Sequence, residues 1–264
     1  MSLAELSFDA ASGVATITLN RPEVLNALNV ALAEALRDVV VPLAGDARVR
    51  CVLLRGNGRA FMAGGDLSGF AADFDTADVV IDALLDALHP VVETLRAIDA
   101  PVIAAVQGAV AGAGLSLMAA CDLVVAAAGT RFLLAYDRIG AAPDCGGTYF
   151  LPRLLGSRRA AALMFLSEQL DADAALAAGL VNKVVAADQL VAESEALAAK
   201  IASGPTQAFG NYKRLAQSTF GNSLHDQLEA ERASFKSATG THDFREGVTA
   251  FLAKRPATFK GKAG

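Results

Sequence analysis

Tryptophan is absent from the chain, cysteine and histidine occur three times each, and basic residues are fewer than acidic ones. Each shortage excludes something. Cys51, Cys121 and Cys145 are too few and too far apart to staple a small domain, and they point to a reducing compartment, the cytoplasm. His89, His225 and His242 are scattered without metal-ligand spacing, so no metal site is expected. With 23 Lys and Arg against 28 Asp and Glu, and the two signs interspersed, the net charge is −5. No basic stripe exists to follow a phosphate backbone, which argues against nucleic acid as a partner. The start MSLAELSFDA has neither the basic nor the apolar region of a secretory leader. The charge-free run 101–121 would register as a membrane span by hydropathy alone. Pro101, Gln107, Gly108, Gly112 and Gly114 break it into two short buried elements joined by a glycine loop, so no membrane partner is expected.

What is present is the composition of a folded protein: 264 residues, 53% hydrophobic and 19% charged. Residues 6–9 and 14–19 alternate in period two across Ala11-Ser12-Gly13 and predict a β-hairpin with Ala15, Ile17 and Leu19 on one face. A helix is predicted after Asn29 as N-cap, then a buried strand over 49–54 and a glycine-rich loop over 56–66. A long amphipathic helix over 78–98, a strand over 101–106 and a second glycine loop over 107–114 repeat that order. A third pass gives strands over 123–127 and 131–134, a loop over 136–144 and a helix opening near Gly146-Gly147-Thr148, with a further helix and strand over 172–185. Beyond Ala187 the pattern is helical only, over 189–201, 207–217, 223–239 and 242–252. Residues 1–187 are therefore expected to form the core and 188–264 a helical region.

Glycine turns between strands and helices bring backbone N–H groups close to an anion, but neither G-x-G-x-x-G nor a phosphate-binding G-x-x-x-x-G-K-[ST] occurs. Two such loops could instead offer one N–H each to a developing oxyanion, or serve only as tight turns. No G-x-S-x-G elbow exists, Ser116 has no histidine near it in sequence, and Cys145 reads as a small buried thiol. Asp144, after Pro143 and before Cys145-Gly146-Gly147-Thr148, reads equally as a helix N-cap or as an acid/base group.

The segments Asn20-Arg21-Pro22, Leu25-Asn26-Ala27-Leu28, 61–67 (FMAGGDL), 108–114 (GAVAGAG), Cys121-Asp122, 143–148 (PDCGGT) and Ala178-Gly179-Leu180-Val181 together resemble the crotonase superfamily of enoyl-CoA hydratases and isomerases. The resemblance implies an α/β fold, a crotonase-like spiral of ββα repeats with a C-terminal helical trimerisation region, assembled as a homotrimer or homohexamer. It also implies an acyl-CoA thioester as ligand, with no cofactor beyond the coenzyme A of the substrate. Carried over, the oxyanion donors are the N–H groups of Ala63 and Ala113. Binding of the CoA thioester is expected along Arg59, Ala60, Ala63, Gly64, Gly65, Asp66 and Leu67, with Gly112, Tyr136 and Lys254, the last or Arg255 near the 3′-phosphate. The acyl pocket wall is expected from a loop over 71–80.

The hydratases of the family carry two glutamates over the double bond. Here those positions hold Ser116, five residues before Cys121-Asp122, and Tyr136, four after Phe132. A carboxylate appears instead at Asp144, and the chain most resembles the epoxyphenylacetyl-CoA isomerase branch. That likeness implies an isomerase that shifts a double bond or isomerises a ring epoxide in a CoA thioester, with Asp144 as acid/base. The alternatives are an enoyl-CoA hydratase using Asp144 and a water held by Tyr136, and a non-catalytic acyl-CoA-binding protein.

Overall fold

The computed structural model describes residues 2–71 and 73–261. A hairpin of β1 (Ala4–Asp9) and β2 (Val14–Leu19) opens the chain, and Ala15, Ile17 and Leu19 face inward without exposure, as their alternation predicts. Asn29 caps α1 (Val30–Val40), its side chain accepting the Leu32 N–H at 2.9 Å, and β3 (Cys51–Gly56) follows. Then come the four-residue α2 (Ser68–Ala71), α3 (Ala77–Ala97), β4 (Val102–Val106), β5 (Ala109–Ala111) and α4 (Ala113–Ala119). The third pass is β6 (Leu123–Ala127), β7 (Arg131–Leu133), α5 (Gly147–Leu155), α6 (Ser157–Phe165), β8 (Gln169–Asp171), α7 (Ala172–Ala177) and β9 (Lys183–Val185). Four helices end the chain: α8 (Leu190–Ala202), α9 (Thr206–Ser218), α10 (Leu224–Ala238) and α11 (His242–Leu252).

The strands form two sheets. The larger has the order β1-β2-β3-β4-β6-β9, parallel throughout except for the β1–β2 hairpin, and the smaller is β5-β7-β8. Both faces of the large sheet are buried, which is why β3, β4 and β6 are continuous apolar runs rather than alternating ones. Val52, Leu54, Val102 and Ala104 join the main core under α1 and α3. Cys51, Leu53, Ile103, Ala105, Val125 and Ala127 point the other way, against Leu190, Ala198 and Ala202 of α8. The first helix beyond residue 187 thus closes the second face of the sheet.

Three features depart from the sequence expectations. The charge-free run 101–121 contains three elements rather than two, because the expected glycine loop includes β5, which at three small residues has no detectable period. No helix among the described residues is long and apolar enough to cross a membrane. The elements α6 and β8 were not expected; Gly156, at φ 76°, restarts the chain after α5 with a weakly patterned segment. The expected acyl-wall loop over 71–80 is largely helical, with a 3-10 turn over Phe74–Thr76 and α3 beginning at Ala77; Ala72 lies outside the described residues.

A buried charge cluster ties α9 to the core. Lys213, 5% exposed, places its ammonium 2.8 Å from Asp122 Oδ2 and donates to the carbonyls of Leu95 and Ala100 at 3.0 and 3.2 Å. Asp122 also takes Arg96 at 3.1 Å and accepts the Val102 N–H at 2.9 Å. Burial pulls the Lys213 ammonium below its usual range while Asp122 opposes that shift. Removing one member of such a cluster leaves buried charge uncompensated. Lys213→Met is therefore expected to lower the unfolding free energy by about 3–5 kcal/mol in denaturant titration. A loss below about 1 kcal/mol would reduce the cluster to the level of a surface pair.

Candidate active site

Segment 61–66 is held from both sides by main chain. On one side Phe61 donates to Gln107 O at 2.8 Å, Met62 to Ala109 O at 3.2 Å, and Ala111 to Met62 O at 3.0 Å. On the other, Ala63 donates to Leu25 O at 3.1 Å, Leu28 to Gly64 O at 2.8 Å, and Asp66 to Leu28 O at 2.7 Å. Asn26, fully buried and at φ 56°, fixes the preceding turn: its side-chain amide donates to the carbonyls of Asn57, Ala60 and Phe61 at 2.9 to 3.1 Å. Its oxygen accepts the Arg21 N–H at 2.8 Å. In the sequence the only sign of this role is a polar residue amid Leu25, Ala27 and Leu28.

These contacts bring the two glycine loops backbone to backbone. A Cβ placed on Gly112, at φ 51°, would lie 3.3 Å from the Cα of Gly64, at φ 108°. A side chain at 112 would press on the facing backbone, and both positions hold positive φ angles that favour glycine. The residue after each glycine has an N–H without a backbone acceptor among the described residues: Gly65 in one loop and Ala113, the first residue of α4, in the other. Ala63, the expected donor, is corrected here, because its N–H is already bonded to Leu25 O.

One turn along α4 from Ala113 lies Ser116, completely buried, whose Oγ has no hydrogen-bond partner among the described residues. It sits under the segment carrying Asp144: a Cβ on Gly147 would fall 2.6 Å from Ser116 Oγ and 3.1 Å from Pro143 Cβ. Glycine at 147 lets the Asp144 segment lie directly on α4. Of the two readings of Asp144, the cap is excluded. The N-cap of α5 is Gly146, with no side-chain cap, and only the Asp144 carbonyl serves the helix, accepting from Gly147 at 2.9 Å. The carboxylate instead accepts a hydrogen bond at Oδ1 from the phenol of Tyr136, and Oδ2 has no partner among the described residues.

Burial, the negative charge of Asp144 and the hydrogen bond to it all push the Tyr136 phenol upward, so it keeps its proton. Burial and then Asp144 push the Cys145 thiol up as well, in keeping with an inert, 2% exposed side chain. Both ends of this unit are in left-handed backbone: Ala135 at φ 66° just before Tyr136, and Cys145 at φ 52° just after Asp144. Residues with a Cβ hold such angles at a cost of order 1–3 kcal/mol, which the surrounding packing must offset.

The other expected contact residues divide. Gly64 and Gly112 build the approach itself, and Ala60 is buried behind it. Arg59 is exposed and Leu67 is 48% exposed at the loop rim. Asp66 is committed internally, to Arg21 at 3.2 Å and to the Ser68 hydroxyl at 2.6 Å, and these hold its carboxyl below the usual range, Ser68 most strongly. Lys254 is exposed just past α11, at φ 53°. Arg255 is paired with Glu246 at 2.7 and 2.9 Å, holding that carboxyl down to about 2. A separate cleft of about 580 Å³ between α5 and α9 contains Asp122 and Lys213, whose polar atoms already bond one another and the main chain.

Residues 9–262 match the family model described as enoyl-CoA hydratase/isomerase. The chain is 39% identical to the 1,2-epoxyphenylacetyl-CoA isomerase of Escherichia coli (strain K12), over 95% of this chain and 96% of that one. It is 34% identical to the trans-2-decenoyl-[acyl-carrier-protein] isomerase of Streptococcus mutans, over 99% and 100%. The crystal structure of an enoyl-CoA hydratase from Polaromonas sp. JS666 superposes with a TM-score of 0.91 at 33% identity, covering 97% of this chain and 99% of that one. The spiral of strands and helices, the apposed glycine loops and these likenesses agree: the chain belongs to the enoyl-CoA hydratase/isomerase family, within the crotonase superfamily.

Proposed function

We propose that the chain moves a double bond within an acyl-CoA thioester through an enolate. The N–H groups of Gly65 and Ala113 would hold the enolate oxygen, and Asp144 Oδ2 would carry the proton. The supporting observation is the placement of carboxylate: Asp144 lies on the segment that rests on α4, while the two positions where hydratases carry glutamate hold a buried hydroxyl, Ser116, and a phenol that keeps its proton, Tyr136. One carboxylate can remove a proton from one carbon of the thioester and return it two carbons away, because the dienolate between them is delocalised. Splitting water across a double bond calls for a second group to hold and divide it. The two N–H groups favour the oxygen most when it becomes negative, and losing one such donor typically costs about 10²–10³ in rate. Two of the relatives reported above are named as isomerases of thioester-linked acyl groups.

Asp144→Asn keeps the shape of the side chain and still accepts from Tyr136. It is expected to fold and bind acyl-CoA normally while 3-enoyl-CoA isomerisation falls by several orders of magnitude. More than about a tenth of the wild-type rate, equivalent to under ~1.4 kcal/mol of transition-state stabilisation, would remove Asp144 as the base. Turnover of crotonyl-CoA to the hydrated product in preference to 3-enoyl-CoA would favour the hydratase, and binding without turnover of any thioester the silent binder.

For the nucleotide end of the substrate we propose Lys254 alone near the 3′-phosphate, Arg255 being held by Glu246. Lys254→Ala should raise KM for the CoA thioester at low salt and flatten its salt dependence, with kcat retained. Identical KM values across the salt range would take Lys254 out of the site.

We further propose that the chain assembles as a homotrimer or a pair of trimers through the last helices. Phe220, Leu224, Leu228, Phe235, Phe251 and Leu252 are each 52–83% exposed, and α10 has no buried residue. So much apolar surface on one region calls for a second copy to cover it. The pair Leu228→Lys and Phe251→Asp should convert a trimer or hexamer to monomer in sedimentation equilibrium. A wild-type monomer at micromolar concentration would overturn the assignment.

A further inference from the structure

The unit formed by Tyr136 and Asp144 has no counterpart in a mechanism that needs only one carboxylate. Its geometry is nonetheless built. The phenol reaches across the segment 136–144 to Asp144 Oδ1, its ring is 8% exposed, and the chain on either side is turned by non-glycine residues in the left-handed region, Ala135 and Cys145. Beneath it, the unpartnered Ser116 hydroxyl and the close approach at Gly147 fix the height of the Asp144 segment over α4 but leave the carboxyl group free to turn about its own bond. The phenol supplies the missing restraint.

We infer that Tyr136 is a positioning residue for the base: its hydroxyl pins Asp144 Oδ1 so that Oδ2 alone faces the substrate and takes the proton. This rests on the isomerase reading for its catalytic consequence, though the pinning itself does not. The proton bookkeeping is simple. Asp144 Oδ2 gains the proton from the substrate carbon and gives it back two carbons away. Throughout, the Tyr136 proton stays on the phenol oxygen and remains shared with Oδ1. Charged Asp137 and Arg138 follow Tyr136 in the chain, and Cys145, next to Asp144, is buried with its thiol held protonated. A carboxylate whose free oxygen wanders by about an ångström is a poor base, since misplacement of that order can cost about 10² in rate. It would still bind substrate equally well, because CoA and the thioester oxygen are held elsewhere.

Two measurements decide it, one of them independent of turnover. Tyr136→Phe retains the ring and loses the donor; kcat for 3-enoyl-CoA should fall about 10- to 100-fold with KM changed by less than twofold. The chain has three tyrosines, Tyr136, Tyr149 and Tyr212. Ultraviolet difference titration of the wild type should show one phenol resisting ionisation beyond the others. In Asp144→Ala, without charge or acceptor, that phenol should titrate at lower pH, while a tyrosine out of reach of the carboxylate would titrate the same in both. An unchanged resistant phenol in Asp144→Ala overturns the pinning, and a Tyr136→Phe enzyme with kcat within twofold of wild type overturns its catalytic role. Absence of isomerase turnover in the wild type, with the titration behaving as stated, would instead count against the isomerase reading and leave the Tyr136–Asp144 contact standing.

Discussion

The site depends on one arrangement: segment 61–66 lies between two other stretches of main chain, 25–28 and 109–112, and is hydrogen-bonded to both. That sandwich sets the positions of the free N–H groups of Gly65 and Ala113 by backbone alone. Side chains contribute only where they lock the backbone, as Asn26 does. Donors held this way need not reorganise when charge develops on a ligand, which is what makes them effective against a transition state. The same rigidity explains why Ala63 is unavailable: its N–H belongs to the sandwich.

Chemistry is added to this frame by the third pass of the chain. The long sheet places α4 and α5 side by side, glycine at 147 lets the Asp144 segment rest on Ser116, and the left-handed turns at Ala135 and Cys145 bring Tyr136 and Asp144 together. The site is therefore a composite of three loops, one from each repeat. Asp144, whose Oδ2 has no partner among the described residues, comes from the last. A hydratase arrangement would place acids at 116 and 136. Here the first position is closed over by Gly147 and the second is occupied by the phenol that hydrogen-bonds Asp144.

Most of the fold was legible in the sequence because periodicity reports burial. The alternation of Ala15, Ile17 and Leu19, the Asn29 cap and the helices α3 and α8 to α11 could all be read directly. What stayed hidden were short elements whose existence depends on a neighbour: β5 is three small residues, and β8 forms only because β7 is there to pair with. At the site, glycine spacing and family likeness located the loops and Asp144, but neither could say which N–H groups were left free. That is a matter of register between distant segments, and the acceptor that occupies Ala63 comes from Leu25, far upstream. Likewise nothing local distinguishes Tyr136 as a partner of Asp144, since the contact is made by two backbone angles unusual for alanine and cysteine.

The central claim, proton transfer through an enolate by one carboxylate, is tested most directly by following the atoms. The purified enzyme would be given a 3-enoyl-CoA in ¹⁸O-labelled D₂O and the product examined by mass spectrometry. The account predicts a 2-enoyl-CoA that has gained no oxygen and that carries deuterium only on the carbons flanking the migrating double bond. A product that has taken up labelled oxygen, or migration without any exchange or transfer of the α-proton, would contradict it.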